Sequence, residues 1–255
     1  MTVRSAGLRE RARERLIFAL DVSTAREAGQ LVRTLRDSVA MFKVGKQLFL
    51  REGPRIIQFV RERGGEVFLD LKFHDIPQTV ARASVEATRL GAAMFNVHAS
   101  GSSAMMKEAV RQVRRVCRTE HLRRPRMLAV TVLTSLSAVD LETIGVLSTP
   151  VQDQVLRLAV LAMEAGMDGV VASPQEIRAI REACGPRFLI VTPGIRRDGD
   201  DMGDQTRVTG PAEAVVSGAD YVVVGRPIRD APDPRAEAEH IIDEIADALV
   251  TRRRA

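Results

Sequence analysis

The run Phe68-Leu69-Asp70-Leu71-Lys72-Phe73-His74-Asp75-Ile76-Pro77 sets charges of both signs into an otherwise apolar stretch. Its spacing predicts a strand over Glu66–Phe73, in which side chains alternate between two faces. Val67, Leu69, Leu71 and Phe73 then form an apolar face suited to packing beneath helices. The other face carries the Asp70 carboxylate and the Lys72 ammonium, about 7 Å apart across two rises of about 3.3 Å each. Burying such a pair in a sheet is costly unless partners neutralise it, and a purely structural pair gains little. A solvated or capping ion pair is the plain alternative to a functional one. Asp75 has a plain reading too. It stands just before Pro77, where a helix can start, and an acidic residue there complements the helix dipole.

Outward from this stretch a strand-then-helix rhythm repeats, without a linker, low-complexity segment or break in composition. Short apolar runs predict strands at Leu16–Val22, Ala40–Val44, Glu66–Phe73, Ala93–His98, Met127–Leu133, Gly169–Ala172, Phe188–Thr192 and Tyr221–Gly225. Helical patterns lie between them at Thr24–Arg36, Lys46–Arg63, Pro77–Leu90, Ser102–Arg118, Val151–Ala165, Pro174–Ala183 and Pro211–Ser217, with a last one at Asp233–Val250. Gly64, Gly91, Gly166 and Gly218 stand where C-caps are expected. Eight such units in 255 residues predict an α/β protein, a single-domain (β/α)8 TIM barrel. The barrel is expected over 15–250, after an Arg-rich lead-in at 1–14 and before a basic tail at 251–255. A doubly wound open sheet is the alternative, but no Gly-rich dinucleotide fingerprint follows the first strand.

Composition narrows the function classes. At 45% hydrophobic residues the chain has material for a sizeable core. No apolar run approaches the roughly 20 residues that span a membrane. Arg4, Arg9, Arg11, Arg13 and Arg15 alternate with Glu10 and Glu14. Those acidic residues and the lack of a Ser-rich stretch argue against a transit peptide and predict a frayed, solvated lead-in. Cys117 and Cys184 are too few and too isolated for a disulfide framework or a zinc site, which fits a cytoplasmic protein. The net charge of +5 and pI near 9.8 raise nucleic-acid binding as a rival class. Yet the chain has no Trp and one Tyr, no aromatic interleaves the arginines between 111 and 126, and no helix-turn-helix, zinc-finger or RNA-binding signature occurs. A modest basic excess also suits an enzyme whose substrate is a phosphate dianion. No nucleic-acid or membrane partner is expected.

In a barrel of this kind the active site lies at the C-terminal ends of the strands. Asp21 ends the first strand, Lys43 the second, and Asp70 with Lys72 the third. Asn96 and His98 end the fourth, Thr131 and Thr134 the fifth, and Arg226 follows the eighth. Asp21, Lys43, Asp70 and Lys72 place alternating charges on three adjacent strands, an improbable chance arrangement, so the functional reading prevails. The remaining candidates read as structural. His98 is expected to be a hydrogen-bonded core residue, since a lone His lacks metal partners. His74 points away from the Lys72 face, His121 and His240 suit the surface, and Met105-Met106 suits helix packing.

These residues sit in runs that resemble the orotidine 5′-phosphate decarboxylase family: FALDV (Phe18–Val22), FKVGKQLF (Phe42–Phe49), FLDLKFHDIPQTV (Phe68–Val80), NVHASG (Asn96–Gly101), VTVLTSL (Val130–Leu136), VTPGIR (Val191–Arg196), GDQTR (Gly203–Arg207) and VVGRPI (Val223–Ile228). They occur in family order over about Arg15–Pro234, with no departure at any motif position. The DxKxxD run alone marks a superfamily of barrels; with Lys43 and the GDQ and GRP segments it is specific. A sugar-phosphate branch, including 3-keto-gulonate 6-phosphate decarboxylase and hexulose-phosphate synthase, also carries DxKxxD. That branch binds magnesium and has a Glu where this chain has Lys43, a hostile neighbour for a divalent cation.

The resemblance implies removal of carbon dioxide from C6 of orotidine 5′-monophosphate, giving uridine 5′-monophosphate, with no cofactor and no metal. Lys72 would stabilise the carbanion-like transition state and deliver the proton. Burial alone disfavours an ammonium, and the flanking carboxylates Asp70 and Asp75 would oppose that. The resemblance further implies a homodimer and a Lys43–Asp70–Lys72–Asp75 network, with Asp75 and Thr79 supplied by the partner subunit. Asp21 and Lys43 would hold the ribose hydroxyls, and Thr134 the pyrimidine amide edge. The long segment from Pro193 to Gly210 suits a mobile lid, with Arg196 and Gln205 as its ligand contacts. Arg226 offers a planar fork for the phosphate, and Gly225 lets backbone N–H groups approach it.

Overall fold

The computed structural model describes residues 3–146, 150–195 and 209–252. Its eight parallel strands are β1 (Leu16–Ala19), β2 (Met41–Gly45), β3 (Val67–Phe73), β4 (Met94–His98), β5 (Arg126–Val130), β6 (Gly169–Val171), β7 (Leu189–Thr192) and β8 (Tyr221–Val224). They pair in sequence order, and β8 returns to β1 to close the barrel. Each starts within one residue of an expected apolar run, although β1 and β5 end three residues short of theirs, and helices follow around the outside, so the (β/α)8 expectation holds.

Alternation along the strands divides the core in two. Ile17, Met41, Phe68, Met94, Leu128, Val191 and Val223 pack with one another inside the barrel. Their neighbours Leu16, Phe18, Phe42, Val67, Leu69 and Phe95 face the helices. Both layers are buried, as parallel barrel strands require.

The expected helix over Lys46–Arg63 is instead two helices, Lys46–Glu52 and Arg55–Arg61. Gly53 turns to φ 70° between them, and Pro54 has no N–H to continue the ladder. A short helix at Ala138–Thr143, not anticipated from periodicity, is nucleated by a capping box between Ser137 and Asp140. The Arg-rich lead-in is also more ordered than its composition suggested. Val3–Arg13 is a helix in which Ala12 is fully buried and the Arg9 guanidinium meets Glu239 at 2.7 Å and Asp243 at 2.6 Å. Those two acids lie on the last helix, Pro234–Arg252. Residues 253–255 of the expected basic tail lie outside the described residues.

At the other end of the barrel one side chain ties several segments together. Arg181 donates to the carbonyls of Gly185, Phe188 and Gly218 and to the Asp220 carboxylate, all just ahead of β7 and β8. Truncating such a half-buried charge strips three carbonyls of this donor and leaves the Asp220 carboxylate with the Ile190 N–H at 2.9 Å but no cation from Arg181. Arg181→Ala should therefore destabilise the fold by about 3 kcal/mol, the scale for breaking a buried pair. Thermal unfolding should reveal the loss, while activity per folded molecule stays unchanged because the site lies at the opposite end.

What positions the site is an irregularity in β3. Phe68 pairs with Met94 and Leu69 with Phe95, but the next pair is Phe73 with Val97. Three residues of β3 thus oppose Asn96 alone, and within this bulge Lys72 takes φ 54°. A non-glycine residue in the left-handed region costs on the order of 1–3 kcal/mol and persists only where its surroundings enforce it.

Candidate active site

A cavity of about 370 Å³ opens at the C-terminal ends of the strands. Its walls include Asp21, Lys43, Asp70, Lys72, Asn96, Thr134, Gly225, Arg226 and Arg229, over a floor of Ala19, Phe68 and Val223. The charged residues that alternate along the sequence here form one chain of contacts. Lys43 Nζ lies 3.0 Å from Asp21 Oδ1 and 3.5 Å from Asp70 Oδ2, and Lys72 Nζ lies 2.7 Å from Asp70 Oδ1. The side chains of Lys43, Asp70 and Lys72 are only 14%, 11% and 25% exposed, so their charges act through little water.

Burial alone would push the Asp70 carboxyl up, but Lys43, Lys72 and a hydrogen bond from Asn96 outweigh it, and the net shift is downward. Burial likewise opposes the Lys43 ammonium, yet Asp70 and Asp21 together raise its pKa above the ordinary lysine value. Both groups are therefore charged at neutral pH. Because the Asp70 pKa is depressed on folding, its contribution to stability is full above the ordinary carboxylate range. That contribution is lost as the pH falls through the depressed value.

Asn96 was visible in sequence as the end of a strand, without a role. It is buried beside Asp70, to which its Nδ2 donates at 2.7 Å, while its Oδ1 accepts from the Lys72 N–H at 2.8 Å. Arg229 was missed altogether. It follows Arg226 by one helical turn and donates to the Asp21 carbonyl at 2.9 Å and to Asp230 at 2.6 Å. That i, i+3 spacing from a candidate anion ligand was the available signal. Gly225 precedes the short helix Arg226–Arg229, and a Cβ there would stand 3.3 Å from that of Ala19. Only glycine fits there without displacing its neighbour.

Asp75 and Thr79 do not reach this cavity within the chain. Both are exposed, and the Asp75 carboxylate accepts from its neighbour Ile76 N–H at 2.6 Å. Between them Ile76, 67% exposed, presents an apolar side chain to solvent. Arg196 and Gln205, and most of the segment between Pro193 and Gly210, lie outside the described residues. His98 is half-buried with its ring 5.3 Å from that of His74, not enclosed in the core. Burial first, then His74 and nearby lysines, push its pKa down to about 4, so it is neutral at physiological pH.

Among the described residues no three His, Cys, Asp or Glu side chains gather as a metal site, and no helix is long and apolar enough to cross a membrane. Of the arginines between 111 and 126, Arg111, Arg123 and Arg124 are paired with Glu108, Glu66 and Asp168.

The chain is similar over nearly its whole length to proteins of known name. Residues 14–241 match the model of the orotidine 5′-phosphate decarboxylase / HUMPS family. The orotidine 5′-phosphate decarboxylase of Geobacter sulfurreducens is 55% identical over 93% of this chain and 98% of its own length. That of Moorella thermoacetica is 52% identical over 93% and 94% of the two chains. Among solved structures, the orotidine 5′-phosphate decarboxylase of Lactobacillus acidophilus superposes with a TM-score of 0.80 at 36% identity, covering 91% of this chain and 98% of that one. With the family model spanning the barrel and both lysines and both aspartates in contact at its mouth, the chain belongs to the orotidine 5′-phosphate decarboxylase family.

Proposed function

We propose that the protein removes carbon dioxide from C6 of orotidine 5′-monophosphate to give uridine 5′-monophosphate, the last step of de novo pyrimidine nucleotide synthesis. The observation that carries this reading is the Lys72 ammonium, held 2.7 Å from Asp70 inside a cavity of nucleotide-compatible size. Breaking the C6–carboxylate bond leaves an electron pair in the ring plane, where no carbonyl can take it up by simple delocalisation. A fixed cation in a site with little water is the available stabiliser. Lys72 supplies that charge, then transfers a proton from Nζ to C6 and recovers one from water.

The remaining residues divide by distance from C6. Asp21 and Lys43 hold the ribose hydroxyls, and Thr134 meets the pyrimidine amide edge. Arg226 and the backbone around Gly225 take the phosphate. In a homodimer, Asp75 of the partner subunit completes the alternation beyond Lys72, and Thr79 of the partner subunit assists at the ribose. The exposure of Asp75, Ile76 and Thr79 on one shoulder of the barrel supports that assembly.

A metal-dependent sugar-phosphate reaction, the alternative within the same superfamily, is disfavoured by Lys43. Its Nζ sits between the carboxylates of Asp21 and Asp70, whose oxygens a divalent cation would need. A decarboxylation assay on orotidine 5′-monophosphate with and without a chelator tests the reading. Turnover that the chelator leaves unchanged is expected; turnover abolished by it would assign the chain to the metal-dependent branch.

The phosphate handle gives a separate prediction. Arg226→Ala should weaken transition-state binding of the phosphorylated substrate by at least about 3 kcal/mol, the scale for truncating a buried hydrogen-bonded charge pair. It should hardly affect orotidine lacking the phosphate, and free guanidinium should partly restore the variant. Equal slowing of both substrates would instead place Arg226 at the ring site or in the barrel.

A further inference from the structure

Asn96 is 1% exposed and faces the β3 bulge, where Asp70, Leu71 and Lys72 have no other β4 residue opposite them. A bulge takes a backbone N–H away from its ladder acceptor, and a buried N–H needs a replacement. At Lys72 the replacement is a side chain, Asn96 Oδ1 at 2.8 Å. The same amide donates through Nδ2 to Asp70 Oδ1 at 2.7 Å, and that oxygen also accepts from Lys72 Nζ at 2.7 Å. The three hydrogen bonds close a ring from the Lys72 backbone, through Asn96 and Asp70, to the Lys72 ammonium. Reversing the amide would set its NH2 against an N–H and its oxygen against a carboxylate, so one orientation alone works.

We propose that Asn96 is a positioning residue for the decarboxylation. It locks the left-handed backbone at Lys72 and fixes one Asp70 oxygen, so that backbone and ammonium are aimed together. The inference rests on the function proposed above for the reaction it serves. Other small residues would fill the volume, but few supply an acceptor and a donor in these directions. Without both, β3 is free to relax toward ordinary strand geometry, and the ammonium loses its aim.

The test compares Asn96→Ala and Asn96→Asp with the wild-type enzyme. Asn96→Ala should lower kcat about 30-fold or more, equivalent to about 2 kcal/mol, with KM within about threefold. Asn96→Asp carries the sharper signature. Its new carboxyl group, beside Asp70, holds a proton to higher pH than an isolated carboxyl does. Ionised, it cannot donate to Asp70. Protonated, its O–H donates to Asp70 while its carbonyl accepts from the Lys72 N–H, and the ring is restored. The kcat of Asn96→Asp should therefore rise at least about tenfold between about pH 8 and about pH 5.5, a range over which wild-type kcat is expected not to rise. A residue that merely packs would give no such rise. Hydrogen exchange at the Lys72 amide, which needs no turnover, should quicken at least about tenfold in Asn96→Ala. An active wild type with Asn96→Ala within threefold of its kcat, or with a parallel pH profile in Asn96→Asp, would overturn the role of Asn96 alone. If the wild type shows no decarboxylation, the proposed activity fails, and amide exchange still decides whether Asn96 holds Lys72.

Discussion

Lys72→Ala is expected to lower kcat by about 10⁴-fold or more while leaving the fold intact. Two losses combine: a positioned proton donor contributes about 10²–10⁴, and a preorganised charge at the developing anion about 10²–10³. Both act mainly in the transition state, so KM should move little. The structure argues that the protein survives the change. Asp70 keeps Lys43 at 3.5 Å and the Asn96 amide at 2.7 Å, so the buried carboxylate is not left without partners. Alanine at φ 54° bears much the same backbone strain as lysine, and the Asn96 acceptor for that N–H remains. Circular dichroism and thermal melting should be close to wild type. Turnover within tenfold of wild type would remove Lys72 from the role of proton donor.

The parts of this site that were legible in sequence are those that follow from period and order. Alternation put Asp70 and Lys72 on one face, and eight repeats of strand then helix put Asp21, Lys43 and Asp70 at one rim. The bulge was not legible, because nothing in the composition of Leu71-Lys72-Phe73 demands a left-handed residue; a glycine would have signalled one, and a lysine does not. That conformation comes from β4, through the Asn96 side chain, and two residues 24 positions apart share no local signal. The N-terminal helix was hidden for the same reason. Its Arg9 is paired with acids more than 200 positions away, so only the closed barrel reveals why an Arg-rich lead-in should be ordered. Gly53-Pro54, by contrast, was a readable break inside the expected helix Lys46–Arg63, one that apolar periodicity outweighed.

Asp75 supplies the other large effect, because it stands outside the chain of contacts that its sequence position suggested. Its carboxylate is exposed and, among the described residues, accepts only from the adjacent Ile76 N–H. Lys72 is paired instead with Asp70. If Asp75 serves the site of a second copy, each site of a dimer takes Lys72 from one subunit and Asp75 from the other. Lys72→Ala and Asp75→Ala homodimers should each be nearly inactive, since every site in them carries one defect. In a mixed dimer one site carries both defects and the other carries neither. Equal mixing makes about half the dimers mixed, each with one intact site of two, so about a quarter of wild-type activity should return. Against inactive parents that is a rise of several hundred-fold or more, on the scale of the general-acid contribution itself. Differently tagged subunits, co-purified through both tags, verify the exchange and isolate the mixed species, which should show about half the wild-type rate. Verified mixed dimers that stay inactive would place Asp75 in the site of its own subunit. The exposed stretch Asp75-Ile76 would then have to fold back toward Lys72 when substrate binds.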